Sequence, residues 1–226
     1  MEEQKGIAIF DLDNTIIEGQ SQQLLLNYLL GKRLITFPFY LRLMAWFSFY
    51  KVGLAKDPRR IIEYAYSPLR GVQVSEFEQI IDNFSTEKLQ HYFIPNSVAF
   101  INQHRAEGKE SILVSNAINF ISGKVASILG INYLIATELE TQESILTGKV
   151  MGDLVYGERK TELIMELVKK QNFSMKGSVA YADHISDLPI LELVENPVVV
   201  NPDRLLRQEA HRRGWPTFFL KRTTLE

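Results

Sequence analysis

Ile7-Ala8-Ile9-Phe10-Asp11-Leu12-Asp13-Asn14-Thr15 is the stretch from which the fold can be read. Four apolar residues bounded by polar ones suit a strand buried on both faces of a parallel sheet. The strand ends on two carboxylates two residues apart, at the end where open α/β sheets bind ligands. Like charges this close raise each other's pKa and favour a cation between them. Taken without the rest of the chain, the residues from Asp11 to Thr15 fit an Asx-turn leading into a capped helix equally well.

Further along, Ser111-Ile112-Leu113-Val114-Ser115 reads as a second strand, preceded by a helix around Val98–Ala106 that Gly108 stops. Ser178–Asp183 reads as a third strand and Pro197–Pro202 as a fourth. From Lys160 to Lys170, Leu163, Ile164, Leu167 and Val168 have the spacing of a helix with one buried face. Glu143–Asp153 reads as a short hairpin turning at Thr147-Gly148. This alternation predicts an α/β fold with a Rossmann-like, mostly parallel sheet. The interval between Ile16 and Ser111 far exceeds what a βα crossover needs. It predicts a helical cap over residues 18–88, inserted into a core formed by 1–17 and 89–226. A cap placed there overhangs the strand ends as a lid that excludes water and selects substrate.

The chain has 226 residues, 46% hydrophobic and 23% charged, enough to bury a core as one domain carrying an insertion. A net charge of -2 argues against a nucleic-acid partner, which needs a basic face. The absence of cysteine excludes disulfides, thiolate catalysis and zinc-thiolate sites, and fits a reducing compartment. Met1-Glu2-Glu3-Gln4-Lys5 carries no signal-peptide pattern, so the expected location is cytoplasmic. Within the cap, Leu34–Ala55 is apolar and aromatic, with Arg42 and Lys51 its charged residues. Its length approaches the roughly 20 residues of a bilayer span, but Pro38 and Arg42 count against an undisturbed transmembrane helix. The expectation is a buried helical hairpin, with membrane contact through 34–55 as the alternative. Arg42 then either meets a substrate anion inside the closed cap or snorkels at a membrane surface. Phe37, Phe39, Tyr40, Trp46, Phe47, Phe49 and Tyr50 are expected to form the cap's own core; lining a cleft for a lipid-linked phosphate is the alternative.

Asp11 and Asp13 after the first strand, Ser115 at the second, Lys160 at a helix start, and Asp183 and Asp187 after the third form a chemically coherent set. They are the residue types that transfer a phosphoryl group through an aspartyl phosphate. A carboxylate attacks phosphorus, Mg²⁺ on hard oxygen ligands neutralises the gathered charge, and a hydroxyl and an ammonium hold the remaining oxygens. Each member has an ordinary alternative. Ser115 can cap a helix starting near Ala117, Lys160 can be a solvated lysine, and Asp183 and Asp187 can charge a helix's first turn. Lys124 is a second candidate for the phosphate-binding cation.

Asp11-Leu12-Asp13-Asn14-Thr15, Ile112-Leu113-Val114-Ser115-Asn116, Lys160 and Asp183-His184-Ile185-Ser186-Asp187-Leu188-Pro189 occur in this order across most of the chain. On these motifs the chain resembles the haloacid dehalogenase (HAD) superfamily, in the phosphoserine phosphatase-like subfamily IB with a helical C1 cap. The resemblance implies a Mg²⁺-dependent phosphomonoester hydrolase acting on a small phosphorylated metabolite. It makes Asp11 the nucleophile and Asp13 the general acid and base. Ser115, Asn116 and Lys160 would bind the phosphoryl group. Asp11, Asp183 and the main-chain carbonyl of Asp13 would hold the metal, supported by Asp187. Two departures stand out. Phosphoserine phosphatases place an acidic residue for the substrate ammonium where this chain has Gln20-Ser21-Gln22-Gln23, and His184 and Ser186 replace a small residue and an asparagine. Gln20, Arg42 and His184 are therefore candidate substrate contacts, with an ordinary loop histidine as the alternative for His184. The competing functions are a phosphotransferase using the same intermediate, a phosphatase for a lipid-linked phosphate, and a non-catalytic phospholigand-binding protein. The intact Asp13 argues against the last, because binding phosphate needs no general acid.

Overall fold

In a computed structural model describing residues 4–51 and 57–222, the expected first strand is β1 (Gly6–Phe10), with Ile7 to Phe10 all buried. It lies in the middle of a sheet and pairs in parallel with β2 (Glu110–Ile118) on one side and β5 (Ser174–Ala182) on the other. Both faces of β1 are covered, so its apolar run needs no alternation. Beyond β2 come β3 (Tyr133–Gln142) and β4 (Ile145–Met151); beyond β5 come β6 (Asn196–Val200) and β7 (Thr217–Phe218). The order is β4-β3-β2-β1-β5-β6-β7, parallel except for the antiparallel β3–β4 pair. The chain moves outward from β1 on one side and then restarts on the other. This reversal of direction opens a crevice at the carboxyl ends of β1, β2 and β5.

Among the described residues, four α-helices occupy the interval between β1 and α5 (Pro95–Ala106): α1 (Ser21–Gly31), α2 (Phe37–Lys51), α3 (Pro58–Tyr66) and α4 (Val74–Glu87). The outgoing and returning chains pair where the insertion begins and ends. Glu18 N–H donates to Tyr92 O at 2.8 Å and Ile94 N–H to Ile16 O at 2.9 Å. The insertion also bonds to the sheet's edge hairpin. Val74 N–H donates to Ser144 O at 2.8 Å, and the Arg59 guanidinium donates to Val150 O at 2.6 Å and Gly152 O at 2.8 Å.

That hairpin turns four residues earlier than expected. Glu143 and Ser144, at φ 50° and 63°, connect the paired Gln142 and Ile145, and Thr147-Gly148 falls inside β4. A two-residue hairpin loop with both residues left-handed matches the twist of its strands, and the strand pairing overrides the weak turn preference of Glu-Ser. Replacing Glu143 by Asn together with Ser144 by Gly removes the left-handed strain and is expected to stabilise the protein by about 0.5–1 kcal/mol, read as a raised melting temperature.

The expected buried hairpin around residue 40 is corrected. In α2, Leu43 is buried, and Phe39 and Trp46 pack on Tyr64 of α3 at ring separations of 4.9 and 5.3 Å. Tyr40 and Phe47 are half-buried, whereas Phe37, Leu41 and Phe49 are exposed. Neighbouring helices cover one side of an all-round apolar helix and leave the other open. The side chain of Tyr50 and residues 52–55 lie outside the described residues. No helix of the described residues is long and apolar enough to cross a membrane.

Candidate active site

β1 delivers Asp11 immediately past its last residue, and β5 delivers Asp183 in the same way. The short turn after Asp183 leads into α8 (Leu188–Leu193), with Asp187 as its N-cap residue. Asp11, Asp183 and Asp187 are all buried and each offers an oxygen within 4.8 Å of the others. The first turn of α7 (Glu158–Gln171) brings in Lys160, 3% exposed, whose Nζ donates to Asp11 Oδ1 at 2.8 Å and Asp187 Oδ1 at 2.7 Å.

One ammonium does not balance this many carboxylates. Burial pushes Asp11 well above the usual carboxylate range, Lys160 opposes this, and Asp187 and Asp183 add to it. Burial pushes Asp183 up to about 7, against the pull of Asn14, whose Nδ2 donates to Asp183 Oδ2 at 3.0 Å. Lys160 is held above its ordinary value: burial opposes its charge, but Asp11 and Asp187 outweigh that cost. A cluster of hard oxygen donors carrying excess negative charge suits a divalent cation of the magnesium type.

Asp13 stands apart from the cluster. Its Oδ1 accepts from the N–H of Ser21 at 2.8 Å, at the start of α1, and burial raises it to about 6 although that hydrogen bond pulls the other way. A carboxyl near neutrality in a dry site can both give and take a proton.

Ser115 is buried on β2 at a register shift between Ser115 and Ile118, and Asn116 beside it is half-buried. The capping alternative for Ser115 fails, because the strand continues to Ile118 and α6 (Asn119–Leu129) starts four residues later. Its Oγ accepts from Ala117 N–H at 3.1 Å, the local geometry of a strand irregularity beside a site. Lys124 pairs instead with Asp82 of α4 at 2.6 Å, which removes it as the phosphate-binding cation. His184 is exposed, with Nδ1 at 3.0 Å from Ser186 Oγ and Nε2 at 3.3 Å from Asp203 Oδ2, the arrangement of a loop histidine. Gln20 is exposed at the N-cap of α1 with no side-chain capping bond, and Arg42 is exposed without an ion pair among the described residues. Neither joins the aspartates.

Several participants escaped the sequence reading. Asn14 adopts φ 56°, accepts from Gly19 N–H at 3.0 Å and orients Asp183; Asn201, at φ 46°, donates to Asn14 O at 2.9 Å. Asn tolerates the left-handed region, so an Asn directly after the paired aspartates was an available signal. Gln22 accepts from the buried Tyr66 hydroxyl at 3.1 Å, and the Asp13 charge adds to burial in holding Tyr66 above its ordinary value. No local pattern announces that contact.

Residues 8–192 match the model of a family described as haloacid dehalogenase-like hydrolase. The histidinol-phosphatase of Neisseria meningitidis serogroup C (strain 8013) is 29% identical over 222 residues, covering 96% of this chain and 100% of its own. Phosphoserine phosphatase SerB1 of Mycobacterium tuberculosis (strain ATCC 25618 / H37Rv) is 26% identical over 219 residues, 92% of this chain and 68% of its own. The crystal structure of a protein of unknown function from Bordetella pertussis Tohama I shares the fold, with a TM-score of 0.88 at 23% identity over 96% of this chain and 99% of that one.

Proposed function

Because the chain belongs to the haloacid dehalogenase-like hydrolases and is a phosphatase of that family, we propose that it hydrolyses a small phosphomonoester through an aspartyl phosphate on Asp11. The observation that carries this reading is the buried bridge from Asp11 through Lys160 to Asp187, with Asp183 alongside and the separate, near-neutral Asp13 next in the chain. A non-catalytic phosphate binder needs cations rather than four buried carboxylates.

Asp11, Asp183 and Asp187 fit Mg²⁺ by donor chemistry and by their surplus charge, and the metal would supply neutralisation of the phosphoryl oxygens. The steps belong to the chain's own residues. An Asp11 carboxylate oxygen bonds to phosphorus as the ester P–O bond breaks, and Asp13 gives its proton to the leaving oxygen. Water then attacks phosphorus, returning a proton to Asp13 as the Asp11–phosphorus bond breaks and inorganic phosphate forms. Ser115, Asn116 and Lys160 orient the phosphoryl oxygens, and the insertion keeps bulk water away. On the insertion side, Gln22, whose amide oxygen accepts from the buried Tyr66 hydroxyl, is a neutral group in place of a carboxylate. An amide holds an uncharged alcohol better than an ammonium.

Hydrolysis of an aryl phosphate tests the reading. Turnover is expected with Mg²⁺, to vanish with EDTA and to return on adding Mg²⁺, with phosphate release unchanged by an added alcohol acceptor. Inertness across a broad phosphate panel with Mg²⁺ present would overturn it, and phosphate leaving on the alcohol instead would make the protein a phosphotransferase.

A further inference from the structure

The outer face of α2 is the largest run of exposed apolar side chains in the described insertion. Phe37, Leu41 and Phe49 are 59%, 51% and 53% exposed, and Leu34, just ahead of the helix, is 49% exposed. Pro38 and Ala45 are exposed between them. The spacing from 37 through 41 and 45 to 49 is one residue per helical turn, so these side chains form a single stripe. The opposite side of the helix is the packed one, through Leu43 and the contacts of Phe39 and Trp46 with Tyr64. Ser48, also on the open side, has its hydroxyl turned back onto Met44 O at 2.9 Å, so it presents little unmet polarity.

The segment that carries the stripe is basic, although its Lys32 is paired with Glu87 of α4 at 2.8 Å. From Gly19 to Lys56 the sequence holds Lys32, Arg33, Arg42, Lys51 and Lys56 and no acidic residue. Arg33 and Arg42 are exposed beside the apolar side chains. An apolar helix face with Arg33 and Arg42 exposed on its rim complements an anionic, apolar-cored surface. It does not complement itself: two copies packed face to face would bring Arg33 and Arg42 of both together with no carboxylate from this segment between them. Nor does the helix span a bilayer, since its 15 residues reach about 22 Å against a hydrocarbon core of about 30 Å.

We propose that α2 is an interfacial anchor that lays Leu34, Phe37, Leu41 and Phe49 into the surface of an anionic phospholipid bilayer, with Arg33 and Arg42 at the headgroups. The proposal is independent of the phosphatase chemistry, and its readout is binding rather than turnover.

Co-sedimentation of the full chain with vesicles is the test, comparing phosphatidylcholine alone with a phosphatidylcholine–phosphatidylglycerol mixture. The wild type is expected to pellet with the mixture far more than with phosphatidylcholine alone, and less at high salt. The combined Phe37→Ser, Leu41→Ser and Phe49→Ser variant is expected to lose at least about tenfold in partitioning, because each side chain forfeits apolar burial. Its circular dichroism and melting temperature should be unchanged, since all three side chains are exposed already. Arg42→Gln is expected to lose about fivefold on the anionic mixture and little on phosphatidylcholine. A wild type that stays in the supernatant with both vesicles overturns the proposal, as does a triple variant that binds as well as wild type. A wild-type dimer that the triple variant dissociates, with no vesicle binding, assigns the face to a second copy and overturns it too.

Discussion

Asp11→Asn is expected to abolish phosphate-ester hydrolysis, by about 10⁴-fold or more, while leaving the protein folded. An amide oxygen is a poor nucleophile toward phosphorus, so the covalent route closes at its first step. The fold should survive because Lys160 keeps Asp187 at 2.7 Å, and because the replacement relieves a carboxyl that burial had already pushed up. Initial rates on an aryl phosphate with saturating Mg²⁺, measured beside a thermal melt, check both halves. A variant keeping more than about one hundredth of the activity would remove Asp11 from the nucleophile's position. A variant that fails to fold leaves the question to mass spectrometry of acid-quenched wild type, where a phosphate adduct is expected on the peptide containing Asp11.

The second large effect is on stability, and its sign runs against the usual acid denaturation. Asp13 and Asp183 have folded values of about 6 and about 7, above the ordinary 3.8, because burial penalises their charge. The folded state therefore binds protons more tightly than the unfolded one. The stability this contributes is present in full below about pH 4 and is lost as the pH rises through about 6 to 7. Metal-free protein is expected to melt lower at pH 8 than at pH 5.5. Asp183→Asn should restore roughly 2–4 kcal/mol at pH 8, about 5–10 °C in melting temperature, because its amide oxygen still accepts from Asn14 without carrying charge. Mg²⁺ should stabilise the wild type at pH 8 and the variant far less. Melts at the two pH values with EDTA or Mg²⁺ test this; a variant less stable than wild type at pH 8 without metal would show that the carboxylate costs the fold nothing.

That stability cost is itself a reason the site could be read at all. The buried middle of a parallel strand favours apolar residues, so a carboxylate directly after Ile7–Phe10 and another directly after Val179–Ala182 stand out against the runs they follow. Ser115 and Lys160 were readable for the weaker reason that they follow in motif order. Their ordinary alternatives fell only when β2 was seen to run past Ser115 and Lys160 was found buried between two carboxylates. Residues outside the motifs were less legible. Tyr66 reaches Gln22 across a folded insertion, and Lys124 is claimed by Asp82 on a helix that no local spacing places beside it.

By itself the sequence determined the parallel sheet, its central strand, the insertion after it and the carboxylates gathered at the strand ends. These follow from local alternation of apolar runs and from charges that the buried middle of a strand disfavours. Tertiary structure alone decided which groups meet: Lys160 finds Asp11 from 149 residues away, and Asn14 finds Asp183 from 169. It also moved the hairpin turn to Glu143-Ser144, because strand register outweighs the turn preferences of two residues. And it decided which side of α2 is covered. A helix apolar all round has no pattern that marks its buried face, so only the positions of α1 and α3 leave Phe37, Leu41 and Phe49 facing outward.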